Sequence, residues 1–234
     1  MRQISAACAL VAILLTPIAA RACDPLDALV AAYPAQLAGH TDTALIWRDG
    51  IRTPVGPTGG GIEHASVGDQ MAEVYPGGDA GRARDRAFFT RMYGDCRAGG
   101  VAASLATVDW FGQRLRVTTV NGVDQALRAV AGEIAALSPE VQRAASPSAG
   151  AYLCRDTHGE HAPSMHAFGA AIDVNVAVSD YWRWRGSYRN RIPAEIVAAF
   201  ERHGFIWGGR WAHFDTMHFE YRPELLGCTD MAAR

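Results

Sequence analysis

The chain has 234 residues, of which 49% are hydrophobic and 20% are charged. This composition allows one or two domains with a sizeable buried core and excludes disorder over the whole length. All 22 basic residues are arginine, and 24 acidic residues bring the formal net charge to −2. This charge argues against a nucleic-acid binder held by a basic surface. The lack of lysine excludes Schiff-base chemistry and the lysine of a phosphate-binding Walker-A loop.

Residues 1–22 have the features of a secretory signal. Arg2 is followed by a largely apolar run over residues 4–15, and residues 20–22 form a small-x-small cleavage site, Ala-Arg-Ala. This run is shorter than the roughly 20 residues that a membrane-spanning helix needs. We therefore expect a cleaved signal and a mature chain without a transmembrane segment, secreted across the inner membrane to the periplasm or the cell envelope.

The cysteines are consistent with an oxidising compartment. Lipidation of Cys23 as the first residue of a lipoprotein is the rival interpretation, but Arg21 lies where that processing needs a small uncharged side chain. The mature chain contains Cys23, Cys96, Cys154 and Cys228, an even number that suits two disulfides. Four cysteines allow three connectivities, among which we favour Cys96–Cys154 together with Cys23–Cys228.

The first half of the mature chain has weak structural patterns. Residues 23–66 are rich in glycine and proline and show little periodicity, so we expect a loosely structured arm that lies on the rest of the molecule. Two strands are predicted after it, over Val101–Asp109 and Leu115–Asn121, and apolar residues alternate with arginine and threonine in the second of them. Residues 111–114 would form the turn between these strands.

Helices and short apolar segments follow one another irregularly in the second half. Apolar residues at helical spacing predict a helix from Val123 to Leu137, stopped by Pro139, and Pro193 and Gly204 frame another helix. Four short apolar segments lie between and after these helices, at residues 149–154, 169–175, 205–207 and 217–221. The pattern indicates an α+β fold in which helices flank a small antiparallel sheet.

The residues that could carry chemistry are concentrated towards the C-terminus. The sequence has no Gly-x-Ser-x-Gly elbow, no His-Glu-x-x-His helix and no Gly-x-Gly-x-x-Gly fingerprint. Six of its eight histidines lie between His158 and His218. Two segments hold most of the candidate residues, and these are residues 164–175 and residues 207–220.

A metal ion bound between these two segments would explain their composition. A catalytic zinc site uses three nitrogen or oxygen ligands and leaves its fourth position to water. His166, Asp173 and His218 would supply two imidazoles and one carboxylate. Asp173 lies in an apolar run, where an unpaired carboxylate is costly to bury. Asp215, three residues before His218, is close enough to accept a proton from water without being a ligand.

Other polar residues in this region have two interpretations each. His213 could contact a substrate or cap a turn. His158 and His161 could bind a metal, although their surroundings in the sequence are typical of a polar surface loop. The four arginines within residues 183–191 could form a rim that faces an anion, or they could lie in a solvated loop.

Each of the two segments contains a recognisable motif. The first is Ser164-x-His166-x-x-Gly169-x-Ala171-x-Asp173, and the second is Trp207-Gly-Gly-x-Trp211 followed by Asp215-x-x-His218-Phe-Glu220. Together these motifs resemble those of the zinc D-Ala-D-Ala carboxypeptidase family. That family includes the vancomycin-resistance-type carboxypeptidases and the L-alanyl-D-glutamate endopeptidases of phage endolysins, and it shares its fold with the amino-terminal domain of hedgehog proteins.

The resemblance implies a cofactor, a substrate and a set of site residues. One zinc ion per chain would be bound by His166, Asp173 and His218. Asp215 would be the general base, and peptidoglycan stem peptides would be the substrate. The other residues with an implied role are Arg155 and Ser164, which would bind the substrate, and Glu220, which would form a hydrogen bond to a ligand.

The expected domain organisation and activity follow from these assignments. Residues 23–90 would form an N-terminal arm of unknown role, and residues 91–228 would form a zinc peptidase domain with the fold that hedgehog proteins share. The expected activity is that of a D-alanyl-D-alanine carboxypeptidase. The alternatives are an L-alanyl-D-glutamate endopeptidase and a non-catalytic, zinc-containing module that binds the cell wall.

Overall fold

The described part of the chain combines helices with small antiparallel sheets. The computed structural model describes residues 24–55, 84–157, 162–184 and 187–226. The α-helices within these ranges are α1 (Pro25–Ala32), α2 (Arg86–Tyr93), α3 (Val123–Ala135), α4 (Pro139–Ala145) and α5 (Ala194–Arg202). The strands are β1 (Leu37–Thr41), β2 (Ala44–Trp47), β3 (Arg52–Pro54), β4 (Leu105–Trp110), β5 (Gln113–Thr118), β6 (Ala171–Asp173), β7 (Phe205–Trp207) and β8 (His218–Tyr221). The predicted α+β class is confirmed.

Several predicted features lie outside the described residues. They are the signal segment, the disulfide between Cys23 and Cys228, and the pair His158 and His161. Among the helices of the described ranges, none is both long and apolar enough to cross a membrane. The division between an N-terminal arm and a peptidase domain stays a prediction.

Residues 24–55 fold into α1 and a three-stranded antiparallel sheet with the order β1-β2-β3. The Asp24 carboxylate caps α1 by accepting a hydrogen bond from the amide of Leu26 at 2.8 Å. Leu26, Leu45 and Trp47 are buried in the main core. The expectation of a loosely structured arm is therefore wrong for this stretch. Its helix and strands have only three to eight residues each, which is too short for the sequence to show a periodic pattern. A few apolar side chains nevertheless anchor these elements to the core.

Strands β4 and β5 form the predicted hairpin. Its turn consists of Phe111 and Gly112, and Trp110 lies opposite Gln113 at the last pair of the ladder. Strand β4 begins at Leu105, later than predicted, because Ala102–Ser104 form a 3₁₀ turn. The hairpin packs against α3, so its inward-facing residues contribute to the core.

Helices α3 and α5 confirm the two predicted helices. The buried residues of α3 are Val123, Leu127, Val130 and Ile134, and those of α5 are Ile196, Val197, Ala199 and Phe200. Pro139, which we expected only to stop a helix, is the first residue of α4. The Ser138 hydroxyl accepts a hydrogen bond from the amide of Val141 at 3.4 Å and caps this helix. Proline suits the first helical turn because it lacks a backbone N–H group, and an N–H group at that position would have no partner within the helix.

A disulfide between Cys96 and Cys154 confirms one of the two predicted pairs. It joins the loop after α2 to the segment before the candidate site and spans 58 residues of sequence. A cross-link over such a distance restricts the unfolded chain and thereby favours the folded one. It also fixes the backbone next to Arg155.

The third sheet, with the order β6-β8-β7, carries two of the candidate ligands. Its antiparallel register places Asp173 directly opposite His218 and Ala171 opposite Glu220. His218 and Glu220 project from the same face of β8 because side chains alternate along a strand. Phe219 lies on the other face and stacks on Phe200 of α5, with 3.9 Å between ring centroids. The hydrophobic core therefore holds the strand from which the polar residues project.

Buried polar side chains connect α1 to this sheet. The Tyr33 hydroxyl donates a hydrogen bond to Oε2 of Glu224 at 2.5 Å. Arg222 donates to Glu224 and, at 3.3 Å, to Oε1 of Glu220. Burial and the charge of Glu224 raise the pKa of Tyr33 well above its usual value, so the hydroxyl keeps its proton. Each buried carboxylate thus has the donors that a buried charge requires.

The variant Tyr33→Phe tests whether residues 24–55 are integral to the fold. Removal of the hydroxyl leaves buried Glu224 short of one donor, so the free energy of unfolding should fall by about 1–3 kcal/mol. Urea denaturation of the mature protein measures the change. Tyr188→Phe, at a tyrosine that is 43% exposed, is the control and should be close to neutral. Equal stability of both variants and the wild type would contradict the inferred packing.

Candidate metal centre

His166 is positioned by a 3₁₀ turn over Met165–Phe168. The Ser164 hydroxyl begins this turn by accepting a hydrogen bond from the amide of His166 at 3.3 Å. Gly169 ends the turn with a φ of 69°, and a β-carbon there would lie 2.9 Å from the amide nitrogen of Thr118. Only glycine fits this combination of positive φ and close approach. The turn allows the chain to enter β6, at whose end Asp173 faces back towards His166.

The three predicted ligands come together. Nδ1 of His218 lies 3.0 Å from Oδ1 of Asp173, and Nε2 of His166 lies 3.2 Å from the same oxygen. The two imidazole nitrogens are 3.1 Å apart. Two buried histidines and one carboxylate therefore form a group that could hold a metal ion.

The outer nitrogen of each imidazole has an acceptor that fixes its tautomer. Nδ1 of His166 lies 2.5 Å from the carbonyl oxygen of Ala151, which can only accept, so this nitrogen carries the proton. Nε2 of His218 lies 2.8 Å from Oε2 of Glu220 and donates in the same way. The nitrogens that face each other are thereby left as potential metal ligands.

The centre favours a positive charge. Burial lowers the pKa of His218, but its hydrogen bonds to Asp173 and Glu220 outweigh burial and raise this pKa to about 9. Burial likewise opposes ionisation of Asp173, yet the charge and hydrogen bond of His166 hold the pKa of Asp173 well below its usual range. A proton on His218 or a bound cation can supply the positive charge that Asp173 and Glu220 attract.

The spacing of the ligand atoms fits a tetrahedral metal ion. A zinc ion with ligands at about 2.0 Å separates neighbouring ligand atoms by about 3.3 Å. The observed separations are 3.0–3.2 Å. Two imidazoles and a carboxylate are also a donor set that suits zinc among the divalent metals. The residues present therefore fit the ion that the motifs imply.

Asp215 lines the same cavity as Asp173 and His218 and has an unusual environment. Its Oδ1 is buried and has no hydrogen-bond partner within the described part of the chain. Burial is the main cause that raises the pKa of Asp215 to about 6, against the opposing charge of His218. The amide of Asp215 donates to the carbonyl of Gly208 at 2.9 Å. A β-carbon at residue 208 would lie 2.7 Å from the Asp215 carbonyl oxygen, so the Trp-Gly-Gly motif permits this close approach.

A cavity of about 220 Å³ is lined by Asp215 and by two of the three predicted ligands, Asp173 and His218. The predicted substrate-binding residues Arg155 and Ser164 line it, but His213 does not. The ring of His213 instead packs edge-on against Trp182, with 4.7 Å between centroids. The cavity is also lined by residues that were not predicted to have a role in the site, and these are Arg84, Thr157, Tyr181, Trp184, Trp211 and Met217.

Glu220 occupies the predicted place beside a ligand. It is fully buried and accepts hydrogen bonds from His218, Arg84 and Arg222. Burial would raise the pKa of Glu220, but the charge of Arg84 and the hydrogen bond from His218 hold it well below the usual range. Nothing in the sequence around Arg84 distinguishes it from the arginines at positions 82 and 86, so no sequence signal could have found this contact.

Comparison with known proteins gives one match. Residues 157–221 match the model of a family described as D-alanyl-D-alanine carboxypeptidase. The matched range contains the three predicted ligands, Asp215 and Glu220, and it supports a peptidase of the family that the motifs resemble. Arg84 and Arg155 lie before this range. No curated protein and no solved structure shows a significant match.

Substitution of His166 tests the ligand set. His166→Ala removes one of three donors, and we expect the variant to lose the metal that the wild type retains after dialysis against metal-free buffer. Elemental analysis by mass spectrometry measures the ratio of metal to protein. His203→Ala is the matched control, because His203 pairs with Glu133 at 2.6 Å and lies outside the group that could hold a metal ion. Equal metal content in the two variants would show that His166 is not a ligand.

Proposed function

We propose that the protein is a zinc-dependent peptidase that hydrolyses peptidoglycan stem peptides, acting as a D-alanyl-D-alanine carboxypeptidase. One observation carries the proposal, namely that the buried carboxylate oxygen of Asp215, unpartnered among the described residues, shares a cavity with Asp173 and His218 of the three-residue ligand group. The match to the carboxypeptidase family supports the peptidase activity. The donor set and its spacing support zinc.

In the proposed mechanism, His166, Asp173 and His218 would hold a zinc ion, which would supply Lewis-acid chemistry for the scissile carbonyl and the attacking water. Asp215 accepts a proton from the attacking water and delivers it to the leaving amine. Burial raises the pKa of Asp215, which favours its role as a base, because a general base works best when its pKa lies near the working pH. The free Oδ1 of Asp215 has the hydrogen-bonding capacity that the water needs.

Arg155 and Ser164 would hold the substrate. A carboxypeptidase must recognise a free C-terminal carboxylate, and a guanidinium on the cavity wall forms strong charge-assisted hydrogen bonds to such a group. The Ser164 hydroxyl accepts from the amide of His166 and keeps its own hydrogen for donation to the substrate. The arginine in a cavity of about 220 Å³ is the feature that favours removal of a terminal residue over cleavage within a peptide.

The non-catalytic alternative fits the geometry less well. Structural zinc sites are closed by four protein ligands, whereas catalytic sites keep one position open. Within the described residues the group has three members, and two of them, Asp173 and His218, line the open cavity. A purely structural site would also gain nothing from the buried carboxylate of Asp215.

We propose that the enzyme works in the periplasm or the cell envelope. The apolar segment at residues 4–15 and the following cleavage site support secretion. The disulfide between Cys96 and Cys154 suits an oxidising compartment. Both features agree with a substrate that lies outside the inner membrane.

Product analysis tests the proposed function. The mature chain, residues 23–234, is loaded with zinc and incubated with purified muropeptides, with and without a chelator. Chelator-sensitive release of D-alanine is the expected result. A newly exposed amino group of D-glutamate would identify the endopeptidase alternative instead. Retention of zinc without any cleavage would overturn the proposal in favour of a binding module.

The variant Asp215→Asn tests the general base. It preserves the shape of the side chain but cannot accept the proton, so kcat should fall by about 10²–10⁴-fold, or roughly 3–5 kcal/mol of barrier. Zinc content should not change. Asp124→Asn on α3, at an aspartate whose side chain is 14% exposed, controls for loss of a partly buried carboxylate. Near-wild-type turnover of Asp215→Asn would refute the assigned role.

A further inference from the structure

The buried side chain of Arg84 reaches the metal centre from the N-terminal part of the chain. Arg84 lies just before α2 and outside the range that matches the carboxypeptidase family. Its side chain is 4% exposed, and that of Glu220 is fully buried. Nε of Arg84 lies 3.4 Å from Oε1 of Glu220, and Nη2 donates to Oε2. Two donors of one guanidinium thus face the two oxygens of one carboxylate, which fixes the carboxylate's orientation.

The same carboxylate oxygen serves a metal ligand. Oε2 of Glu220 accepts from Arg84 and also from Nε2 of His218, at 2.8 Å. The position of this oxygen determines the rotation of the His218 ring and therefore the direction of Nδ1. Nδ1 points at Oδ1 of Asp173, 3.0 Å away. Any shift of the Glu220 carboxylate would move a ligand atom.

Glu220 has a second arginine partner whose surroundings differ. Arg222 contacts Oε1 at 3.3 Å and also donates to Glu224. Its guanidinium lies over the ring of Phe89, 4.9 Å from the centroid, and it does not line the cavity. Arg84 does line the cavity. Arg222 therefore belongs to the network that joins α1 to the sheet, whereas Arg84 belongs to the site.

We propose that Arg84 is a positioning residue of the metal centre, which holds the Glu220 carboxylate against Nε2 of His218 so that Nδ1 faces the other ligands. This inference rests on the proposed metal centre but not on the reaction it performs. It gives a function to the segment before residue 91, for which the sequence analysis found none. The segment supplies part of the scaffold on which the ligand geometry depends.

Metal affinity and cobalt spectra test this role directly. Arg84→Met keeps the length of the side chain without its charge, and Arg84→Lys keeps the charge without the two-donor fork. Outer partners of ligands typically affect metal affinity by about 10–100-fold. We expect that loss for Arg84→Met, an intermediate loss for Arg84→Lys, and an altered visible spectrum after substitution with Co²⁺. Zinc affinity is measured by competition with a chromophoric chelator.

The control separates positioning from stability. Tyr33→Phe weakens the same buried network at its far end without touching Glu220, and it should lower stability while leaving zinc affinity and the cobalt spectrum unchanged. If Arg84→Met behaves like Tyr33→Phe, the inference is overturned and Arg84 only stabilises the fold. A wild type that binds neither zinc nor cobalt would overturn the proposed function as well.

A double-mutant cycle keeps the test decisive if Arg84→Met does not fold. Arg84→Lys and Glu220→Gln are then combined, and zinc affinity is measured for the single and double variants. Residues that act through one contact give non-additive effects, whereas independent residues give additive ones. Non-additive losses support positioning through Glu220. Additive losses contradict it.

Discussion

The site depends on three electron-pair donors held within 3.2 Å of one another. Such a cluster is repulsive unless a positive charge lies among its members. The carbonyl of Ala151 and the carboxylate of Glu220 prevent the imidazoles from turning their protonated nitrogens inwards. The fold therefore cannot relieve the repulsion by changing tautomers. It has to bind a cation or a proton, so the two short motifs together form a group that could hold a metal ion.

Charges of alternating sign continue from this centre to the first helix. Glu220 is negative beside His218, Arg222 is positive beside Glu220, and Glu224 is negative beside Arg222. The hydroxyl of Tyr33 ends the series. Removing one of these buried residues leaves its neighbour in the series with an uncompensated buried charge. The N-terminal segment and the ligand-bearing sheet are thus coupled energetically, although most of the sequence lies between them.

The sequence could predict what is encoded locally. Asp173, Asp215 and His218 stand within two short motifs, so spacing and donor type were enough to group them. Helix α3 could be predicted because its apolar residues repeat at helical spacing over a long stretch. Arg84 is different, because it meets Glu220 only through tertiary packing. The N-terminal sheet was missed because its strands are too short to show a pattern. His213 stands beside a motif yet packs against Trp182, because proximity to a motif does not determine which neighbour a side chain contacts; its role in substrate binding stays a prediction.

The asymmetry of the site supports the proposed catalytic role over purely structural metal binding. On one side, the two imidazoles donate hydrogen bonds to buried acceptors, the carbonyl of Ala151 and the carboxylate of Glu220, which leave the rings little freedom to rearrange. On the other side the cavity is open, and Asp215 presents a carboxylate oxygen without a protein partner among the described residues. Leaving such an atom without a hydrogen-bond partner is unfavourable by about 1–3 kcal/mol. A site that binds a metal ion only for structure does not need this atom. The unsatisfied atom becomes useful once a water molecule arrives whose proton must be taken, so the least stable feature of the site is the one that indicates its chemistry.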